Sequence, residues 1–209
     1  MRLRMTLSKI TKGTRKADVT LIFDDGSAVQ VLNDVANKKM LKEGMQLSEQ
    51  QLEQLLDENQ LFNALKKGYD YLSYGDLTER RMREKLHNYG VSDENIEKCI
   101  EYFIDRGYID DERYATRYAA LAVENKLWGE RRIVEELLKR GIELSLARET
   151  VEQLDQDWED NAHHIIETKY YFINVSQPRQ KQKLVNSLVR MGYTYDQINT
   201  AINRYFYEM

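Results

Sequence analysis

Three glycines, Gly90, Gly141 and Gly192, stand 51 residues apart, and the same pattern surrounds each. Leu86, Leu137 and Leu188 precede them by four positions, and Met82, Ile133 and Leu184 by eight. Ile100, Val151 and Ile202 follow by ten, and Phe103, Leu154 and Tyr205 by thirteen. Apolar residues four apart share one face of an α-helix. A glycine just after such a pair predicts a left-handed helix stop, where a Cβ is costly. The downstream pair predicts a second helix. A helical unit repeated three times in register constrains the fold to stacked small modules.

Composition agrees with that reading. A chain of 209 residues has room for one or two ordinary domains. Its 42% apolar content suits a folded protein, and its 32% charged content suits thin modules with much surface. A single proline and heavy Ala, Glu, Lys, Leu and Arg usage favour helix. A net charge of −4 gives no global attraction for nucleic acid, although a local basic face is compatible with it. The lone Cys99 has no internal disulfide partner and reads as a small buried residue in a reducing compartment. The N-terminus lacks the apolar core of a signal peptide, and no run reaches the roughly 18 apolar residues of a membrane span. A soluble, cytoplasmic, monomeric protein without a membrane contact is expected.

Residues 1–47 form the first expected region. Met5–Ile10 alternates, Val19–Phe23 is apolar and β-branched, and Ala28–Leu32 follows the tight-turn residues Asp24-Asp25-Gly26-Ser27. Two or three antiparallel strands are predicted, which must pack on a helix or partner to persist. The turn residues Lys12, Arg15 and Lys16 read either as phosphate contacts or as a solvated loop. Asn33 or Asp34 is expected to cap a short helix ending near Lys42-Glu43-Gly44.

Residues 48–109 are expected to hold a lead helix and the first repeat, 110–156 the second three-helix repeat, and 157–209 the third. Ser48 with Gln51 predicts a capping box. Asp76, Ser92 and Ser176 are predicted caps, Pro178 suits a first helical turn, and Thr194 with Gln197 reads as a further capping box. Predicted apolar stripes include Met82, Leu86 and Tyr89 in the first repeat. Ile165, Ile166, Tyr170 and Phe172 belong to the third repeat's first helix. The fold class is mainly α, with a small N-terminal antiparallel β segment.

No chemistry of catalysis is legible. The ten glycines stand singly, so no phosphate-cradling loop is present, and Cys-x-x-Cys and nucleophile-elbow patterns are missing. Glu159, His163 and Glu167 share a helix face, with His164 beside them, but three ligands on one helix rarely close a metal site. Chance spacing accounts for them better, and no metal, cofactor or catalytic residue is assigned. Most of the fourteen tyrosines fall on apolar stripes. Tyr71, Tyr74 and Trp128 lie at turns instead.

The basic residues are the candidate binding set. Arg80, Arg81, Arg83 and Lys85 lie opposite the first repeat's apolar stripe. Arg131 and Arg132 recur at the 51-residue offset, and Lys139 and Arg140 end the same helix. One reading is a continuous basic strip. The other is a solvated face with intrahelical ion pairs, each contributing only about 0.3–0.5 kcal/mol.

The stretch Leu72–Ile142 resembles the RecX family of bacterial recombinase regulators. The resemblance lies in Thr78-Glu79-Arg80-Arg81-Met82-Arg83-Glu84-Lys85-Leu86. It lies also in Ile104-Asp105-Arg106-Gly107-Tyr108-Ile109-Asp110-Asp111-Glu112-Arg113-Tyr114-Ala115. Trp128-Gly129 with Ile133, Leu137 and Arg140-Gly141-Ile142 completes it. The β segment is similar to that of longer members from low-GC Gram-positive bacteria. The resemblance implies three tandem three-helix units in an elongated, curved array. It implies binding to the RecA nucleoprotein filament and modulation, usually inhibition, of strand exchange, ATP hydrolysis and co-protease activity. It implies no catalytic residue and no cofactor. The alternative is a single- or double-stranded DNA-binding protein that acts through the basic strip without a recombinase.

Overall fold

The computed structural model describes residues 4–207. They hold four strands and ten helices, mainly α as expected. The chain forms two compact units. One takes the chain up to Gly75 and Met82–Tyr108, and the other takes Asp76–Arg81 and the chain from Ile109 onward.

The first unit begins with strands β1 (Arg4–Lys12), β2 (Asp18–Phe23) and β3 (Ala28–Leu32), helix α1 (Asn33–Lys38) and strand β4 (Gln46–Ser48). The sheet is antiparallel in the order β3-β2-β1-β4, four strands where the sequence predicts two or three. The extra strand is three residues long and pairs Leu47 with Met5. So short a run carries no alternating signal of its own. One face of the sheet buries Leu7, Leu21, Phe23, Val31 and Leu47 against Leu55 of helix α2 (Glu49–Leu72). This supplies the helical cover that a small sheet needs. Ser48 and Gln51 form the predicted capping box. Helices α3 (Glu79–Tyr89) and α4 (Asp93–Asp105) follow. Phe103 and the fully buried Cys99 lie on the inner face of α4.

Several predicted caps move. Thr78, not Asp76, caps α3, because its hydroxyl accepts the Arg81 N–H at 3.3 Å. Asp76 instead pairs with Arg117 at 2.7 Å. The Ser92 hydroxyl lies 3.1 Å from the Gln60 side-chain oxygen and caps nothing. Helix α1 has neither Asn33 nor Asp34 as cap, because Leu32 precedes it and the helix ends at Lys38.

The second unit contains α5 (Asp111–Lys126), α6 (Glu130–Lys139), α7 (Leu144–Glu152), α8 (Trp158–Lys169), α9 (Pro178–Arg190) and α10 (Tyr195–Tyr207). Asp110 caps α5, Asp157 caps α8, and Thr194 with Gln197 forms the predicted box. Ser176 caps nothing, and Gln177 precedes α9 with Pro178 in its first turn. Helices α5 to α7 share a core in which Ala115, Ala119 and Ala122 let backbones approach. Helices α8 to α10 build a second core around Ile165, Ile166, Leu184, Leu188 and Tyr193.

The repeat pattern reads directly onto burial. Met82, Ile133 and Leu184 are fully buried, as are Leu86, Leu137 and Leu188. Gly90, Gly141 and Gly192 have φ of 91°, 91° and 101°, the left-handed stops expected of them. Tyr89 and Phe172 depart from the prediction. Tyr89 ends α3 with its ring exposed, and Phe172 stands in solvent after α8 has stopped at Lys169.

Candidate functional site

The second unit gathers three of the eight predicted basic residues, Arg132, Lys139 and Arg140, around one carboxylate. Glu136 stands mid-way along α6, one turn from Arg132 and one from Arg140. Its Oε1 accepts Lys139 Nζ at 2.9 Å and lies 3.2 Å from an Arg132 guanidinium nitrogen. Its Oε2 accepts Arg140 at 2.9 Å. Only 12% of the Glu136 side chain is exposed. Hydrogen bonds from Lys139 and Arg140, aided by the nearby Arg132 charge, hold its pKa down at about 2. Arg81, in the first turn of α3, donates to the Lys139 carbonyl at 3.2 Å and brings a fourth cation to the end of α6.

Aromatic rings back these cations. The Arg140 guanidinium lies 4.1 Å from the centre of the Tyr118 ring. Arg132 lies 5.1 Å from the centre of the Trp128 ring, with Lys126 4.2 Å from the same ring. Such contacts fix the plane of a guanidinium while leaving its edges to hydrogen-bond. Trp128, which the sequence sets apart at a turn, thus serves to orient cations.

The other predicted residues are placed differently. Arg80 lays its aliphatic stem over Gly141, and the Arg131 side chain is exposed. Arg83 and Lys85 belong to the first unit, where Arg83 pairs with Glu97 and Lys85 Nζ lies 4.8 Å from the centre of the Tyr71 ring. Of the β-segment cations, Arg15 is committed to Asp18 at 2.7 Å. Glu136, Tyr118 and Lys126 are absent from the sequence-based set. The spacing Arg132, Glu136, Arg140 does carry a signal, since residues four apart on a helix meet. Among the described residues no group of three or more His, Cys, Asp and Glu side chains is arranged to hold a metal ion. His163 packs its ring on Tyr205, and His164 faces Glu167 at 4.0 Å. No helix among the described residues is long and apolar enough to cross a membrane.

Residues 110–151 match the family model described as RecX, second three-helix domain. That segment contains α5, α6 and nearly all of α7, and therefore the Glu136 cluster. Over 132 residues the chain is 32% identical to the regulatory protein RecX of Vibrio campbellii, spanning 63% of this chain and 84% of that one. The chain belongs to the RecX family. The likeness extends well outside residues 110–151. The regulatory protein RecX of Clostridioides difficile is 28% identical over 202 residues, which covers 95% of this chain and 94% of that one. In fold, the chain matches a crystal structure of a regulatory protein RecX with a TM-score of 0.71 at 24% identity, over 95% of this chain and 99% of that one. A second, RecX from Lactobacillus salivarius, matches with a TM-score of 0.64 at 24% identity, over 71% of this chain and 97% of that one. RecX relatives named as regulatory proteins thus match along nearly the whole chain, and a regulatory role comes with the family.

Proposed function

We propose that this chain regulates the RecA recombinase: it binds the RecA–DNA filament and restrains its ATP hydrolysis, strand exchange and co-protease activity. The observation that carries this reading is the near full-length likeness to RecX regulatory proteins. It acts as a monomer in the cytoplasm, without catalysis of its own. The surface that meets the filament is the basic cluster of the second unit, Arg81, Arg132, Lys139 and Arg140, with the exposed Arg131 beside it. Arginines held over aromatic rings are well suited to phosphate oxygens, which they engage through two parallel N–H groups. The filament offers such oxygens along its DNA.

The test is RecA ATP hydrolysis on single-stranded DNA, with this protein added well below one copy per RecA. Inhibition at that ratio is expected, because a filament regulator acts on ends or spreads its effect. Unchanged hydrolysis at saturating protein overturns the recombinase reading. The aromatic-backed cations also favour a second reading, direct DNA binding without RecA. Binding through several phosphates would lose orders of magnitude in affinity between about 50 and 200 mM salt, whereas an interface with an apolar centre loses much less.

A further inference from the structure

The basic cluster of α6 already contains an anion. Glu136 occupies the place where the edges of Arg132 and Arg140 and the ammonium of Lys139 converge, with all three within 3.2 Å. A bare cluster of cations would repel itself and spread into solvent. Here one carboxylate is shared by three positive groups, so the cluster keeps its shape and retains a net positive charge.

We propose that Glu136 is the specificity-determining residue of this surface: a built-in counter-anion that yields Arg132, Lys139 and Arg140 only to the closely spaced phosphates of a nucleic-acid strand. The proposal rests on reading the cluster as a partner-binding surface. Three observations lead to it. First, Glu136 is tethered on the same helix as its cations, so its effective concentration is high and a single free anion in solution competes poorly. A strand brings several phosphates at once and can replace one carboxylate with more than one oxygen per cation. Second, the exchange keeps the aromatic contacts. Arg140 lies on Tyr118 and Arg132 on Trp128, so their edges can trade carboxylate for phosphate without leaving the rings. Third, the Arg132 Nε–H is buried with no acceptor among the described residues. Its present pose leaves a donor unmet, which a phosphate oxygen could satisfy while the guanidinium stays over the Trp128 ring.

The experiment compares Glu136→Gln with Glu135→Gln, an exposed neighbour on the same helix whose substitution makes the same change in net charge. Each variant is titrated into a labelled thymidine oligonucleotide at 50 to 200 mM salt, with no recombinase present. Glu136→Gln is expected to bind about three- to tenfold tighter at the lowest salt, with a log–log salt slope steeper by about one. Glu135→Gln is expected to stay within about twofold of the unaltered protein, as an exposed, solvent-screened charge outside the cluster should. Inorganic phosphate at the concentration of the oligonucleotide's phosphates should displace nothing. Glu136→Gln binding no tighter than Glu135→Gln overturns the proposal, and so does an unaltered protein that fails to bind at the lowest salt. A gain seen only for a polyglutamate peptide replaces the phosphate assignment with an acidic protein segment and overturns it too. If Glu136→Gln lowers helix content, Glu136→Asp, which keeps the charge but shortens its reach, must still bind tighter. Because RecA is absent, these results stand apart from the ATP-hydrolysis test.

Discussion

Gly141 lies directly beneath the side chain of Arg80. A Cβ on Gly141 would stand 2.5 Å from Arg80 Cβ and 2.6 Å from its Cδ. A similar contact recurs one repeat later, shifted by one position: a Cβ on Gly192 would stand 2.5 Å from the Cβ of Arg132, the counterpart of Arg81, and 2.7 Å from the Gly129 carbonyl oxygen. The hydrogen bonds recur with it. The Thr78 hydroxyl donates to the Arg140 carbonyl at 2.5 Å, and the Gly129 N–H, at the position equivalent to Thr78, donates to the Met191 carbonyl at 2.8 Å. The end of one repeat's middle helix is thus the seat for the start of the preceding repeat's middle helix. Helix stop and repeat junction are one feature.

This separates the three glycines. Gly90 has the same left-handed φ but nothing within 4 Å of its would-be Cβ. Gly90→Ala should therefore cost only the conformational penalty, about 1 kcal/mol. Gly141→Ala adds a clash with the Arg80 stem and should cost at least twice that. Gly192→Ala meets backbone and should cost the most. Gly141→Val, with a β-branched side chain in the left-handed region, should exceed either alanine at position 90 or 141. Urea unfolding of the four variants checks the order. Equal losses at Gly90 and Gly141 would mean the junction contributes nothing.

Thr78 is fully buried and uses its hydroxyl twice, as donor to Arg140 and as acceptor from Arg81. Thr78→Val keeps the shape and removes both bonds. A loss of about 1–3 kcal/mol is expected, from a missing cap and an unmet, partly buried carbonyl. Thr78→Ser should recover most of it. Thermal melts of the pair decide the matter.

Arg131 and Arg132 are expected to differ in what they do. Arg131 is exposed, so Arg131→Glu should weaken filament inhibition while leaving helix content and melting unchanged. Arg132 is held by Glu136 and Trp128 and packs at Gly192. Arg132→Glu places a second carboxylate beside Glu136 and should lower both inhibition and melting temperature. Inhibition that survives Arg131→Glu combined with Arg132→Glu would remove these residues from the mechanism.

Glu136 also sets a pH dependence. Its folded-state pKa, about 2, lies below the ordinary 4.5 of a free glutamate. A lowered value adds stability above the unfolded-state pKa, and this is lost as pH falls from about 4.5 towards 2. The groups facing it are Arg132, Lys139, Arg140 and the Tyr118 phenol. The unaltered protein and Glu136→Gln should therefore differ in melting temperature at pH 7 and converge near pH 2. A constant difference across that range would contradict the assignment.

The repeat was legible as a recurrence at fixed 51-residue spacing, and the helix stops, the apolar stripes and two capping boxes because each depends on residues about one helical turn apart. A capping box needs only Ser48 and Gln51, and a stripe only the spacing of Met82 and Leu86. Partners distant in the chain were not legible. Nothing near Asp76 says that Arg117 will claim its carboxylate and leave capping to Thr78, or that Gln60 will lie against the Ser92 hydroxyl. Nothing near Gly141 distinguishes it from Gly90, since the pressure on it comes from Arg80, sixty-one residues earlier. The basic residues follow the same division. Their number and their recurrence are properties of the sequence. Tertiary packing decided which of them gather, by setting Arg81 against the end of α6 and laying Arg140 on Tyr118, because charge and ring contacts fall off within a few ångströms and chain distance does not report on that.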